Sequence, residues 1–376
     1  MVSDRGALIT GMAWSTALGS DLDGVWRALL SGASGVAPVP TDHPLRNDRA
    51  AVLPDLPLGL DPVRRQLAAG ARPLRAAVAD AGLDLTDPRL RLVAGTSYGS
   101  HLDVPADRLD QWGEELAKKL GLARRPLIVS TACSAGSDAL LVAAALIDAG
   151  EEEICVAGGV DVLTPAKRLG HSVLGTMSPT ALRAFDADHD GTILGEGAAF
   201  LVLEAGGSAR ARQAQVRGRL TGTGSANDAT GPTAPDPSGD TVVRAVRAAL
   251  AAAGRDTTEV GVLNAHGSGT PVNDDVECRA YTAAFTGGGP APLVFATKGA
   301  FGHTLGATGA LEAVAVLLAL RDGRVPPIAG LRTVMPGFPL SLPGNGTPLP
   351  FIGDAGLSVT IGFGGFTTCL ALEAAG

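Results

Sequence analysis

The sequence is poor in aromatic residues, in cysteine and in positive charge. Phe, Trp and Tyr make up 4% of the 376 residues, whereas glycine alone contributes 51. A core so composed is built from closely packed strands and helices rather than from aromatic clusters. The four cysteines, Cys133, Cys155, Cys278 and Cys369, show no C-x-x-C spacing. This argues against a metal site of zinc type and against a disulfide framework, and it favours a reducing cytoplasm. A formal net charge of −8 argues against nucleic acid or an anionic membrane as partner. No apolar run is long enough to span a bilayer. The longest, 305–320, is broken by glycines and Glu312 and reads as a buried core helix. Residues 1–5 lead directly into a strand-like segment, so no secretory leader is expected.

What is present is an alternation of short apolar runs with Ala/Leu-rich helical patterns, the pattern of an α/β protein with parallel strands. The pattern occurs twice. Residues 92–99 (LVAGTSYG) match 262–269 (VLNAHGSG), 126–133 (PLIVSTAC) match 292–299 (PLVFATKG), and 198–205 (AAFLVLEA) match 367–374 (TTCLALEA), at offsets of 170, 166 and 169. Near-constant offsets point to an internal duplication. The halves are 1–206 and 216–376, joined by the polar, glycine-rich segment 206–215.

One cysteine has a special position. Cys133 follows the apolar run 127–129 and precedes the helix-forming run 138–149. It therefore sits between a strand and a helix N-terminus, where exposed N–H groups and the helix dipole favour the thiolate. Two of the six histidines, His266 in NAHGSGT and His303 in KGAFGH, also lie in glycine-rich turns after apolar strands. A two-fold arrangement of the halves brings these strand ends together, so Cys133, His266 and His303 can share one acyl-thioester active site. His43, His101 and His171 lie in no motif and read as surface or loop residues.

The segments 130–137, 264–270 and 298–304 resemble the three signatures of elongating β-ketoacyl-acyl-carrier-protein synthases. Ala7–Met12, Trp26–Gly32, Phe185–Gly191, Leu194–Gly197, Thr233–Pro235 and Gly362–Gly365 extend the resemblance along nearly the whole chain. The resemblance implies an α/β thiolase-like fold, five-layered αβαβα with two duplicated halves. It implies that Cys133 takes an acyl group from a carrier-protein thioester, and that decarboxylation of a malonyl-carrier thioester then gives an enolate that attacks it. His266 and His303 would stabilise the enolate, with Lys298 and Glu277 as supporting charges. The N–H groups of Cys133 and Phe363 would form the oxyanion hole, with Phe363 as gate. Thr233, Ser268 and Thr270 would bind the phosphopantetheine arm of acyl carrier protein. No cofactor or metal is expected on the enzyme itself. A homodimer, or a heterodimer with a ketosynthase-like partner, is expected. Alternatives are a non-decarboxylative acyltransferase using the same cysteine, and a ketosynthase-like subunit of a heterodimer.

The chain departs from the family pattern in several places. H-G-T-G-T reads HGSGT here, and K-S-N-I-G-H reads KGAFGH. Phe366-Thr367 replaces Thr-Asn after Gly365, and the stretch between Gly99 and Pro126 is shorter than in the family. Two other motifs are weaker. Gly95–Gly99 (GTSYG) has the spacing of a serine-hydrolase elbow around Ser97. Asp186–Gly191 (DADHDG) imitates a calcium loop but has Gly197 where a bidentate Glu should close it. Basic pairs Arg64-Arg65, Lys118-Lys119 and Arg124-Arg125 are candidate docking points for an acidic carrier protein.

Overall fold

The computed structural model describes residues 6–285, 288–344 and 346–375. Residues 1–5, which the leader expectation concerns, lie outside them. Ten strands form one continuous sheet: β1 (Ala7–Ser15), β2 (Leu90–Gly95), β3 (Leu127–Val129), β4 (Ile154–Asp161), β5 (Gly197–Glu204), β6 (Gly218–Asn227), β7 (Val260–Asn264), β8 (Leu293–Phe295), β9 (Ala355–Ile361) and β10 (Phe366–Ala374). Their order is β3-β2-β4-β5-β1-β6-β10-β9-β7-β8. Adding five to each strand of the first half gives its counterpart in the second, so the order is a palindrome. Pairing directions follow the same symmetry: β3, β2 and β4 are mutually parallel, as are β8, β7 and β9. Among the described residues the halves join at β1–β6 through three residue pairs, Ala7–Leu220, Leu8–Arg219 and Ile9–Gly218. The strand matches seen in the sequence are β2 with β7, β3 with β8 and β5 with β10.

Strands β1, β4 and β5 are buried at every residue, as their almost unbroken apolar sequences require when helices cover both faces. In the first half, helices α1 (Pro62–Asp80) and α2 (Gln111–Leu120) lie outside, α3 (Ala135–Asp148) lies inside, and α4 (Pro165–Val173) follows β4. In the second half, α5 (Asp240–Ala253) and α6 (Pro271–Phe285) lie outside and α7 (Thr308–Asp322) lies inside. Helices α3 and α7 pack on each other and on strands of both halves, which makes five layers. Every residue of α7 from Thr308 to Leu320 is buried. A helix apolar on all sides can be stable only in such a position.

The duplication extends to the turns. Each inner helix is preceded by a 3₁₀ turn, Ala132–Ser134 before α3 and Leu305–Ala307 before α7. Ala132 and Leu305 both have φ of 51°, a left-handed conformation that costs a residue with a side chain about 1–2 kcal/mol. The structural counterpart of the Cys133 turn is therefore Leu305–Ala307. The Lys298–His303 turn, paired with it in the sequence, is instead an insertion carrying the short helix Lys298–Phe301.

Candidate active site

Cys133 lies on its 3₁₀ turn with 4% of its surface exposed. Asp138, one helical turn into α3, holds the turn in place. Its carboxylate accepts the hydroxyls of Ser134 (2.7 Å) and Thr131 on one side and of Thr368 from β10 on the other. The Cys133 turn is thus tied to the opposite half of the molecule. Gly362 closes over it. A Cβ there would lie 3.3 Å from the Cys133 nitrogen and 3.2 Å from the Thr131 carbonyl, so glycine keeps the Cys133 amide uncrowded, while the Ser134 N–H is taken by Thr131 at 3.2 Å. The backbone N–H of the next residue, Phe363, favours the Cys133 thiolate.

Burial pushes the Cys133 thiol up to about 12, against the Lys298 charge and the Phe363 N–H, which both favour the thiolate. This corrects the expectation of a thiol depressed by the helix terminus. Removing the sulfur from water outweighs the donors aimed at it, so the resting residue is a thiol.

His266 and His303 meet edge to face, ring centroids 5.2 Å apart at 83°, and each is 4% exposed. Burial first, then the nearby Lys298 charge, lowers both well below the usual imidazole range, so both are neutral. For His303 the proton can be placed. The backbone N–H of Leu305 donates to Nδ1 (3.3 Å), so neutral His303 carries its own hydrogen on Nε2 and presents a donor. The N–H groups of His266 and Gly267 each donate to Glu277 at 2.7 Å. Glu277 also accepts Tyr281 Oη (2.6 Å) and Asn273 Nδ2 (2.7 Å). It therefore holds the backbone of the histidine turn rather than the ring.

The carboxylate partner of Lys298 is Glu312, at 2.7 Å with both side chains 1% exposed. Lys298 also donates to the His266 carbonyl. Sequence reasoning missed Glu312 as a site residue. The available signal was a lone carboxylate inside an otherwise apolar helix, fourteen residues after Lys298.

A cavity of ≈ 280 Å³ is lined by Cys133, His266 and His303 together with Thr233, Ser268, Thr270 and Phe363. Its rim includes the exposed Leu174 and Val272. Ser268 and Thr270 share a hydroxyl–hydroxyl hydrogen bond of 2.9 Å. Of the expected site residues, Lys298 and Glu277 alone stand behind this wall. His171, expected on the surface, also lines the cavity. Ser97 does not; its backbone N–H is taken by Asp161 at 2.8 Å.

Residues 114–209 match the N-terminal domain of β-ketoacyl synthases and residues 217–332 match their C-terminal domain. Nodulation protein E of Rhizobium sp. (strain N33) is 30% identical over 377 residues, which cover 91% of this chain and 92% of that protein. The chain belongs to the β-ketoacyl synthase family. Among other relatives, 3-oxoacyl-[acyl-carrier-protein] synthase 2 of Mycobacterium tuberculosis (strain ATCC 25618 / H37Rv) is 29% identical across 97% of this chain and 96% of its own length. The solved structure of the ishigamide ketosynthase/chain length factor superposes with a TM-score of 0.89 at 28% identity, covering 99% of this chain and 100% of that one. The five-layered thiolase-like fold is that of these ketosynthases.

Against the family pattern, the loss of polar residues in KGAFGH has a packing reason. A Cβ on Gly299 would lie 1.9 Å from the Ala329 carbonyl, and Phe301 packs edge-on against Trp14 at 5.8 Å. The calcium-like loop of this synthase is spent on structure. Asp186 accepts the N–H groups of Asp188, Arg332 and Thr333, and Asp190 accepts Ser178 and Thr180. The basic pairs also change meaning. Arg65 is buried against Glu196 at 2.5 Å, and Arg124 and Arg125 are paired with Glu152 and with Glu114 and Asp110. Lys118 and Lys119 remain exposed on α2.

Proposed function

We propose that this β-ketoacyl synthase loads an acyl group from a carrier-protein thioester onto Cys133. It then condenses that group with malonyl-carrier protein, releasing carbon dioxide and a β-ketoacyl thioester. The observation that carries this reading is the buried thiol facing two neutral imidazoles, one with its proton on Nε2. Simple acyl transfer has no use for a pair of uncharged donors, whereas an enolate oxygen does. The acyl carbonyl oxygen sits between the N–H groups of Cys133 and Phe363, where negative charge develops as sulfur attacks. Since no thiolate is stored beforehand, the Cys133 proton passes to the departing pantetheine sulfur as the new thioester forms, and the carrier leaves as its free thiol. Lys298, kept in place by Glu312, holds positive potential over both histidines, and Glu277 fixes the backbone on which His266 stands. The phosphopantetheine arm enters past Thr233, Ser268 and Thr270, and the enzyme itself needs no cofactor.

The carrier docks at the cavity mouth, where the apolar rim of Leu174 and Val272 meets Arg46. That arginine reaches the Gly175 carbonyl at 3.2 Å and is largely exposed. The protein works in the cytoplasm as a dimer, with itself or with a ketosynthase-like partner. Intact-protein mass spectrometry with acyl-carrier thioesters, followed by malonyl-carrier protein with carbon dioxide detection, tests the function. Wild type should gain the acyl mass and release carbon dioxide, and Cys133→Ala should gain no mass while keeping its fold. Loading of Cys133→Ala, or loading of wild type without decarboxylation, would sink the proposal.

A further inference from the structure

His171 is the third histidine of the cavity, and neither the loading step nor the condensation uses it. It stands in the last turn of α4 with its ring stacked on Phe363, centroids 5.6 Å apart and planes at 25°. It therefore lies against the side chain that follows Gly362 over the thiol. Burial, then the Lys167 charge, lowers it to about 4, so its ring is neutral at working pH.

The hydrogen bonds around His171 indicate which ring nitrogen holds the proton. Nδ1 lies 2.9 Å from Thr176 Oγ1, and that hydroxyl donates to the His171 carbonyl at 3.2 Å. A hydroxyl has one proton. The arrangement that satisfies both contacts sends this proton to the carbonyl and has Nδ1–H donate to Oγ1. Nε2 is then a lone pair with no partner among the described residues, on a residue that lines the cavity. The two histidines are thus opposite in function. His303 offers a donor, suited to an oxyanion, and His171 offers an acceptor, suited to a hydroxyl.

We propose that His171 is a specificity-determining residue whose Nε2 accepts a hydrogen bond from a hydroxyl on the acyl chain carried at Cys133, so that the synthase selects hydroxylated acyl thioesters over plain alkyl ones. This rests on Cys133 as the acylated residue. A lone pair facing an alkyl chain is desolvated without compensation, and one facing a hydroxyl is satisfied. Phe363 stacks on the same ring, and both side chains line the cavity that holds Cys133, so the acceptor and the acyl chain share one space. The amides of the pantetheine arm are a second source of donors, but they are common to every substrate and cannot discriminate between chains.

The test is competitive loading of the intact enzyme by pantetheine thioesters of one chain length, unsubstituted, β-hydroxy and β-keto, read as adduct mass on Cys133. Wild type should favour the β-hydroxy chain about tenfold, the ratio that one net hydrogen bond supplies. His171→Phe keeps an aromatic ring against Phe363 but removes the acceptor, and the ratio should fall to about one. Thr176→Val frees Nδ1 from its fixed role and should lower the ratio in the same direction. The ratio is read only on loaded protein, so a variant that folds poorly cannot imitate the result. An unchanged ratio in His171→Phe overturns the proposal, as does equal loss of all three substrates or a wild-type preference for the β-keto chain, which would put the proton on Nε2. Absence of any Cys133 adduct in wild type would remove the proposed function as well. Loading without discrimination removes only this inference.

Discussion

The state of Cys133 before substrate arrives can be measured directly by its alkylation as pH is raised. Burial places the thiol at about 12, against an ordinary value of 9.0. Only about 10⁻⁴ of it is thiolate at pH 8, roughly a thousandfold less than in an ordinary thiol, because each unit is a factor of ten. Only the thiolate reacts with iodoacetamide. The logarithm of the Cys133 modification rate should therefore rise by one for each pH unit from 7 to 10 and show no plateau. A thiol activated by the helix terminus, with a value near 7, would level off by about pH 8. The slope is the readout, since access of the reagent to the cavity contributes a constant factor. Lys298→Met removes the positive charge that favours the thiolate and should slow the reaction further at every pH. A plateau below pH 9, or faster modification in Lys298→Met, would refute the reasoning. Enzyme-catalysed loading at neutral pH should outrun this alkylation, because the thioester is attacked while the proton leaves.

Four further outcomes follow from the same geometry. His266→Ala and His303→Ala should each lower condensation by about 10²–10³, while at least one still loads Cys133. Because burial holds both imidazoles well below 6.5, the wild-type rate should show no imidazole protonation step between pH 8 and 6, and a bell centred near 6.5 in the pH–rate profile would count against neutral histidines. Arg65→Ala leaves Glu196 buried and unpaired and should cost about 3–5 kcal/mol in denaturant unfolding; a change in the salt dependence of carrier turnover at unaltered stability would instead make Arg65 a docking residue. Gly299→Ser restores the family's serine but drives a Cβ to 1.9 Å from the Ala329 carbonyl, so unfolding stability should fall by about 1–3 kcal/mol, and an unchanged melting temperature would show that the backbone yields freely there.

By itself the sequence determined the layered α/β architecture and the duplication, and it singled out the turns of the candidate site. These are local properties. Apolar runs of strand length, glycines at strand-to-turn corners and a Cys or His held among them leave their mark within a few residues, and the repeat shows as matched strings such as LVAGTSYG and VLNAHGSG. Tertiary structure decided what depends on partners far apart in the chain. Glu312 reaches Lys298 only because α7 runs through the centre of the molecule, and His171, with no motif around it, enters the cavity because α4 ends against Phe363. Arg65 reads as a surface charge in its own segment, yet it is buried against a carboxylate 131 residues away. Cys133 shows the limit most plainly. The strand–turn–helix string singles it out as the candidate nucleophile, but the balance between helix-terminus donors and desolvation is set by both halves closing over it, and that closure keeps the proton on sulfur.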